Sequence, residues 1–170
     1  MREQQARFEE LVLPHLDAAY RLARLLLKRD EDAQDVVQDA YIKALKGFEK
    51  FRGGDARAWI LMIVRNTAFT WLKKNRPRAV VSIDDDEVAE IEDTNRAADS
   101  FHGADANVLR AALEALPLEF REALVLRELE GCSYKEIAEV AGVPVGTVMS
   151  RLARARRQLQ NHFAQKGGKL

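Results

Sequence analysis

Residues 133–160 read SYKEIAEVAGVPVGTVMSRLARARRQLQ, and they constrain the fold most because they spell two helices and the elbow between them. Ser133 is followed three residues later by Glu136, a reciprocal capping box in which each side chain satisfies an orphan backbone N–H at a helix start. This predicts a helix from about Tyr134, with Ile137, Ala138 and Ala141 on one side. Gly142 and Pro144 then turn the chain, since glycine permits a positive φ and proline disfavours helix in the residue before it. A second helix from about Val145 places Val148, Leu152, Ala155 and Leu159 on one buried face. Its other face carries Thr147, Ser150, Arg151, Arg154 and Arg157, and from Val143 to the C-terminus there are six bases and no acid.

Two readings of that basic face compete. An arginine-rich helix face can be merely solvated, and a helical hairpin alone is a weak signal. The small residues in the elbow, joined to the strict charge asymmetry, favour a helix-turn-helix whose second helix enters the major groove of DNA.

Overall charge is uninformative, because 27 bases and 27 acids cancel. The cancellation hides a partition. Residues 82–105 hold nine acids and one base (Arg96), a net of minus eight, and the rest of the chain carries plus eight. Such segregation fits surfaces that meet nucleic acid and one segment that avoids or imitates it. The acidic segment lacks a sustained apolar period, so residues 78–104 read as a linker between two small domains, 1–77 and 105–170. The N-terminus has no run suited to export and no stretch is long enough to span a bilayer, which predicts a soluble, cytoplasmic chain without membrane insertion. Cys132 is the one cysteine, so no internal disulfide is possible and a zinc or redox site is not expected.

The first half is helical throughout, with no alternating strand pattern. Phe8, Leu11, Val12, Leu16, Ala19, Leu22, Ala23 and Leu26 recur at helical spacing, interrupted by Pro14, which should start or kink a helix. Asp30 can cap a helix on which Ala33, Val36, Val37, Ala40, Tyr41, Ala44, Leu45 and Phe48 form an apolar face. Its opposite face is acidic, with Glu31, Asp35, Gln38 and Asp39, for which dipole compensation and solubility would suffice. After the glycines of residues 47–54, Asp55 can cap a third helix from Ala56 to about Asn75, with Trp59, Ile60, Ile63, Val64, Thr67 and Trp71 as its apolar face. Between Arg65 and Arg78 lie five bases, no acid, and the interleaved Asn66, Thr70 and Trp71. Aromatics beside cations can stack on unpaired bases and neutralise phosphate, although core packing is the expected use of at least one tryptophan.

Three stretches carry a resemblance: DAQDVVQDAYIKAL at 32–45, FRGGDARAWILMIVRNTAFTWLKKNR at 51–76, and LPLEFREALVLRELEGCSYKEIAEVAGVPVGTVMSRLARARRQL at 116–159. Together, in this order, they resemble the extracytoplasmic-function sigma factors of bacteria, in the sigma-70 superfamily. The resemblance implies an all-α chain of two helical domains, sigma domains two and four, joined by a flexible acidic linker. It implies a non-enzymatic, cofactor-free subunit that brings core RNA polymerase to promoters, docking on the clamp helices of the largest subunit and the flap of the second. By the same likeness, Asp32, Asp35, Gln38 and Asp39 would meet the clamp. The loop 48–55 and the following helix would capture an unpaired base of the −10 element through Arg52, Arg65, Asn66, Trp71, Lys73, Lys74 and Arg76, with Asn66 at the family's base-contacting asparagine. The −35 duplex would meet Val145, Gly146, Thr147, Ser150, Arg151, Arg154 and Arg157. An anti-sigma protein is a further expected partner. Leu116-Pro117 would open the first helix of the second domain, and Asp84, Asp85 and Asp86 would help the linker occupy a basic nucleic-acid channel. Met149 departs from the pattern by removing one phosphate contact, and Cys132 stands where an aliphatic residue is common.

Other classes remain distinguishable. A stand-alone repressor would need neither the basic-aromatic third helix nor the acidic second one. A sigma mimic that titrates an anti-sigma protein need not keep Arg151 and Arg154. An enzyme with a metal at residues 84–87 fails on geometry, since consecutive acids do not converge as ligands. The histidines (His15, His102, His162) are scattered and need only surface or packing roles.

Overall fold

The computed structural model describes residues 2–80 and 105–167, all helices, turns and loops, in two compact units. The acidic residues Asp84, Asp85 and Asp86, His102 and most of the expected linker lie outside the described residues. Its first residues do not: Pro77–Ala79 form a single 3-10 turn.

In the first unit, α1 (Arg2–Val12) ends at the 3-10 turn Leu13–His15, where Pro14 starts a new direction, and α2 (Leu16–Leu27) follows. Lys28 closes α2 in the left-handed conformation (φ 72°), donating its N–H to the carbonyl of Arg24 at 2.9 Å. That places extended Arg29, not Asp30, at the N-cap of α3 (Asp30–Gly47), which corrects the expected cap. Asp30 instead accepts from the Tyr20 hydroxyl and from Arg24 Nε (3.1 Å), tying the start of α3 to α2. This bond to Asp30 raises the Tyr20 hydroxyl above its ordinary pKa. Helix α4 (Ala56–Asn75) is capped as expected, the Asp55 carboxylate accepting from the N–H groups of Arg57 (3.0 Å) and Ala58 (3.3 Å).

Helices α2, α3 and α4 pack on one another through alanines. Ala19, Ala23, Ala33, Ala40, Ala44 and Ala68 are all fully buried, and such short side chains let helix backbones approach closely. Leu22, Leu26, Ile60, Leu61 and Val64 fill the space between them. A second cluster joins Phe8, Tyr41, Phe48, Phe51 and Trp59, with Phe8 and Phe48 edge to face at 5.4 Å between centroids. Tyr41 also donates to the carbonyl of Val12 (3.3 Å), and its burial, with Asp17 nearby, pushes its pKa to about 12.

Three expectations about faces need correction. Leu16 and Leu45 are 43% and 49% exposed rather than buried. On α4, Trp59, Ile63 and Trp71 are only half-buried, while Leu61, Ala68, Phe69 and Leu72 are buried. Because α4 packs against both α2 and α3, its buried arc is wider than one apolar stripe and rotated from it.

In the second unit, Asp105 caps α5 (Ala106–Glu114) by accepting from the N–H of Asn107 at 3.3 Å. Pro117 therefore precedes α6 (Leu118–Leu124), and not the first described helix of this unit. Helix α6 runs into a π turn, Val125–Leu129, and the chain reverses at Gly131 (φ 66°). The capping box then forms as its spacing predicts: Ser133 N–H to Glu136 Oε1 at 2.9 Å, and Glu136 N–H to Ser133 Oγ at 3.0 Å. It opens α7 (Tyr134–Ala141), Gly142 turns at φ 69°, and the carbonyl of Pro144 accepts from the N–H groups of Thr147 and Val148 in α8 (Val145–Gly167). Val148, Leu152, Ala155 and Leu159 are buried as expected, with Leu113, Phe120, Leu124, Leu126 and Ile137. Among the described residues no helix is long and apolar enough to cross a membrane.

Candidate nucleic-acid interface

The solvent face of α4 is built by helical spacing. Asn66, Thr70, Lys73 and Lys74 are exposed and fall at steps of four, three and one, which brings them onto one side of the helix. Arg76 continues past the helix end, and Arg52 is exposed in the loop where Gly53 and Gly54 take φ of 88° and 96°. Arg65 lies beside this face, its guanidinium carbon 3.7 Å from the centroid of the Phe69 ring and its Nη1 donating to Asn66 Oδ1 at 3.2 Å. The tryptophans divide: Trp59 joins the aromatic cluster, whereas Trp71 turns into a cleft.

That cleft, about 340 Å³, lies between α3 and α4 and brings together residues from two expected surfaces. Asp35 and Asp39, expected to meet polymerase, line it with Trp71 and Lys74, expected to meet DNA. Lys43 bridges part of the opposition, pairing with Asp39 at 3.1 Å one turn away. Asp35, Gln38 and Asp39 are exposed, whereas Asp32 is half-buried and its Oδ2 has no hydrogen-bond partner.

On α8 the outcome differs from the expectation. Val145, Gly146 and Arg157 are exposed and Thr147 is half-buried at the helix start. Ser150 and Arg151, expected on the DNA-facing side, are buried, with only 8% and 7% of their surface exposed. Arg151 pairs with Glu119 of α6 at 3.1 Å, and a cation with so little solvent is retained only where a partner compensates its lost hydration. Arg154 is half-buried with its guanidinium over the Phe120 ring (5.1 Å), and Arg156 pairs with Glu128 at 3.0 Å. Arg127 donates to the carbonyl of Cys132 at 2.9 Å and stacks over Tyr134. Three arginines of α8 therefore engage α6 and the π turn.

Arg121 was not anticipated from sequence. It is buried, donating from Nε to the carbonyl of Leu113 (3.0 Å) and from Nη2 to those of Leu116 (2.9 Å) and Glu114 (3.3 Å). It thus caps the C-terminal end of α5 from a neighbouring helix, and burial lowers its pKa to about 10 despite Glu114. No local pattern marks it. Among the described residues no group of three His, Cys, Asp or Glu side chains converges to hold a metal.

Comparison with known proteins defines the class first. Residues 11–78 match the family model for sigma-70 region 2, and residues 106–159 match that for sigma-70 region 4. The chain is 37% identical over 162 residues to the ECF RNA polymerase sigma factor SigE of Mycolicibacterium smegmatis, covering 93% of this chain and 62% of that relative's length. It is 37% identical over 161 residues to the RNA polymerase sigma-H factor of Pseudomonas aeruginosa (89% and 83%), and 38% over 139 residues to the ECF sigma-E factor of Escherichia coli K12 (76% and 73%). Two solved structures share the fold. One is the sigma factor RpoE with the anti-sigma factor NepR from Bartonella quintana (TM-score 0.72, 30% identity, 91% of this chain and 95% of that one). The other is CnrH with the cytosolic domain of CnrY (TM-score 0.67, 27% identity, 95% and 90%). The chain belongs to the extracytoplasmic-function family of RNA polymerase sigma factors.

Proposed function

We propose that this chain is a dissociable initiation subunit that docks on core RNA polymerase and directs it to a specific set of promoters. The observation that carries the reading is the succession, in one chain, of a region 2 match and a region 4 match. It acts by binding rather than catalysis, in the bacterial cytoplasm where the polymerase works.

The acidic side of α3, Asp32, Asp35, Gln38 and Asp39, serves as the docking surface for the polymerase clamp. Asp32 Oδ2 supports this, because a buried carboxylate oxygen without a donor gains most from one supplied by a partner. The exposed side of α4, with Arg52 and Arg76, receives the unpaired −10 strand: Asn66 reads a base with Arg65 beside it, Trp71 offers a stacking face, and Lys73, Lys74 and Arg76 neutralise phosphates. Val145, Gly146 and Thr147 at the start of α8, with Arg154 and Arg157, meet the −35 duplex. Residues 1–77, 78–104 and 105–170 are the corresponding functional segments. Both solved neighbours are sigma factors with anti-sigma partners, and that likeness extends an anti-sigma partner to this chain.

Run-off transcription with core polymerase on fragmented genomic DNA, followed by mapping of start sites, is the test. Specific starts should appear only when chain and core are both present. Tight operator binding by the chain alone, with no specific starts, would return the reading to a stand-alone regulator. Asn66→Ala should impair strand opening more than polymerase docking, and Asp35→Lys should do the reverse.

A further inference from the structure

We propose that Arg65 is a positioning residue for Asn66: it holds the side-chain amide with Oδ1 toward the guanidinium and Nδ2 away from it, so that the base-capture site leads with donors and favours a base edge with two adjacent acceptors. The inference rests on the reading of Asn66 as the base-contacting residue. An isolated asparagine amide is ambivalent, since half a turn about its last torsion exchanges the acceptor oxygen for the donor nitrogen. The guanidinium removes the ambiguity because it has five donors and no acceptor, so the Asn66 atom facing it must be Oδ1. The bond is present at 3.2 Å.

For this to fix Asn66, Arg65 must itself be fixed. Its guanidinium carbon stands 3.7 Å from the centroid of Phe69, one turn along the same helix, and Phe69 is buried and therefore cannot swing away. Buried ring, stacked guanidinium and exposed amide form a chain of constraint running from core to surface. The amide group turned away from the guanidinium is then Nδ2, with two N–H groups, on an exposed residue.

The chemistry of the bases then decides the preference. The usual bidentate contact of asparagine with adenine needs oxygen and nitrogen together, taking a proton from N6 and giving one to N7. Oδ1 keeps a second lone pair, so adenine can be held only by sharing an oxygen that already accepts from Arg65, whereas an edge of two acceptors needs no acceptor from the amide. Guanine presents O6 and N7 side by side, and unpaired cytosine presents O2 and N3 side by side, both as acceptors; thymine offers no adjacent pair.

The test uses the chain bound to core polymerase and a library of single strands with a randomised central segment, selected for binding and sequenced. The wild type should enrich cytosine or guanine over adenine at one position. Arg65→Gln, whose amide can both donate and accept, should erode that discrimination about tenfold, the scale of one good bidentate contact, while the best strand weakens less. Phe69→Leu should give the same relaxed pattern although the ring lies beneath the surface. Equal weakening for all bases in Arg65→Gln, unchanged discrimination, or wild-type enrichment of adenine each overturns the proposal. Asn66→Ala separates the two levels: if it keeps the base preference, the reading of Asn66 itself fails, whereas its loss there with retention in Arg65→Gln overturns the role of Arg65 alone.

Discussion

The basic residues of α4 and those of α8 look alike in sequence and are used in opposite ways. Along α4, Lys73 and Lys74 stand in solvent, with Arg76 just beyond the helix end, and Arg65 leans on a ring at the surface. Along α8, Arg151 is buried against Glu119, Arg154 lies over Phe120, and Arg156 pairs with Glu128. A count of cations along a helix therefore says little about the charge that the helix presents. The acids that neutralise α8 come from α6 and its π turn, 28 or more residues earlier in the chain. Among the described residues no ion pair reaches the exposed lysines of α4, although Asp35 and Asp39 line the same cleft as Lys74. Helix α4 thus leaves Lys73 and Lys74 exposed, while α8 commits three arginines to holding α6 and the π turn.

The most severe break should come at Arg121, the extreme case of a cation committed to the interior of the second unit. Replacing it with methionine strands three carbonyls near the end of α5, which should destabilise this unit by about 3 kcal/mol or more. Calorimetry should show a transition lowered by roughly 10 °C or more, with the first unit unaffected. A shift within a degree or two would mean that water replaces the guanidinium without loss.

Next in size is the pair of Arg151 and Glu119. Arg151→Met or Glu119→Gln should each cost about 2 kcal/mol, and the two together less than their sum, because the second change removes a group already left unpaired by the first. Additive effects in that cycle would return Arg151 to the status of an independent surface cation. The arginine would then be available to DNA after all.

What could be read from sequence divides along the same line. The Ser133–Glu136 capping box, the Asp55 cap, the break at Pro14 and the turn at Gly142 all depend on neighbours within four residues, and all are where the sequence puts them. The Asp30 cap failed because Lys28 closes α2 in a left-handed conformation, so Arg29 takes the capping position and Asp30 is drawn to Tyr20 and Arg24. Burial of Arg151 and Ser150 was illegible for a different reason. A helix wheel gives the angular position of a side chain, whereas the depth at that angle is set by a partner helix supplied from elsewhere in the chain. The face of α4 was misread by a smaller rotation, because two helices cover it where one was assumed. Family likeness supplied the roles expected of Asp35, Asn66 and Lys74, which nothing in their spacing distinguishes from a solvated surface.

The smallest expected effect is also the one that separates the two helices most directly. Lys73 is exposed, so Lys73→Ala should leave thermal stability within about 0.5 kcal/mol of the wild type. If it neutralises a phosphate of the unpaired strand, its loss removes one released counterion. The slope of log binding constant against log salt, measured for the polymerase-bound chain on single-stranded DNA, should then become shallower by about 0.7. Arg151→Met, assayed well below its lowered melting temperature, should leave the salt slope for −35 duplex unchanged, because a guanidinium held by Glu119 releases no counterion from DNA. If the two variants exchange results, stability lost at Lys73 and salt slope lost at Arg151, the assignment of exposed charge to ligand and buried charge to pose would be inverted.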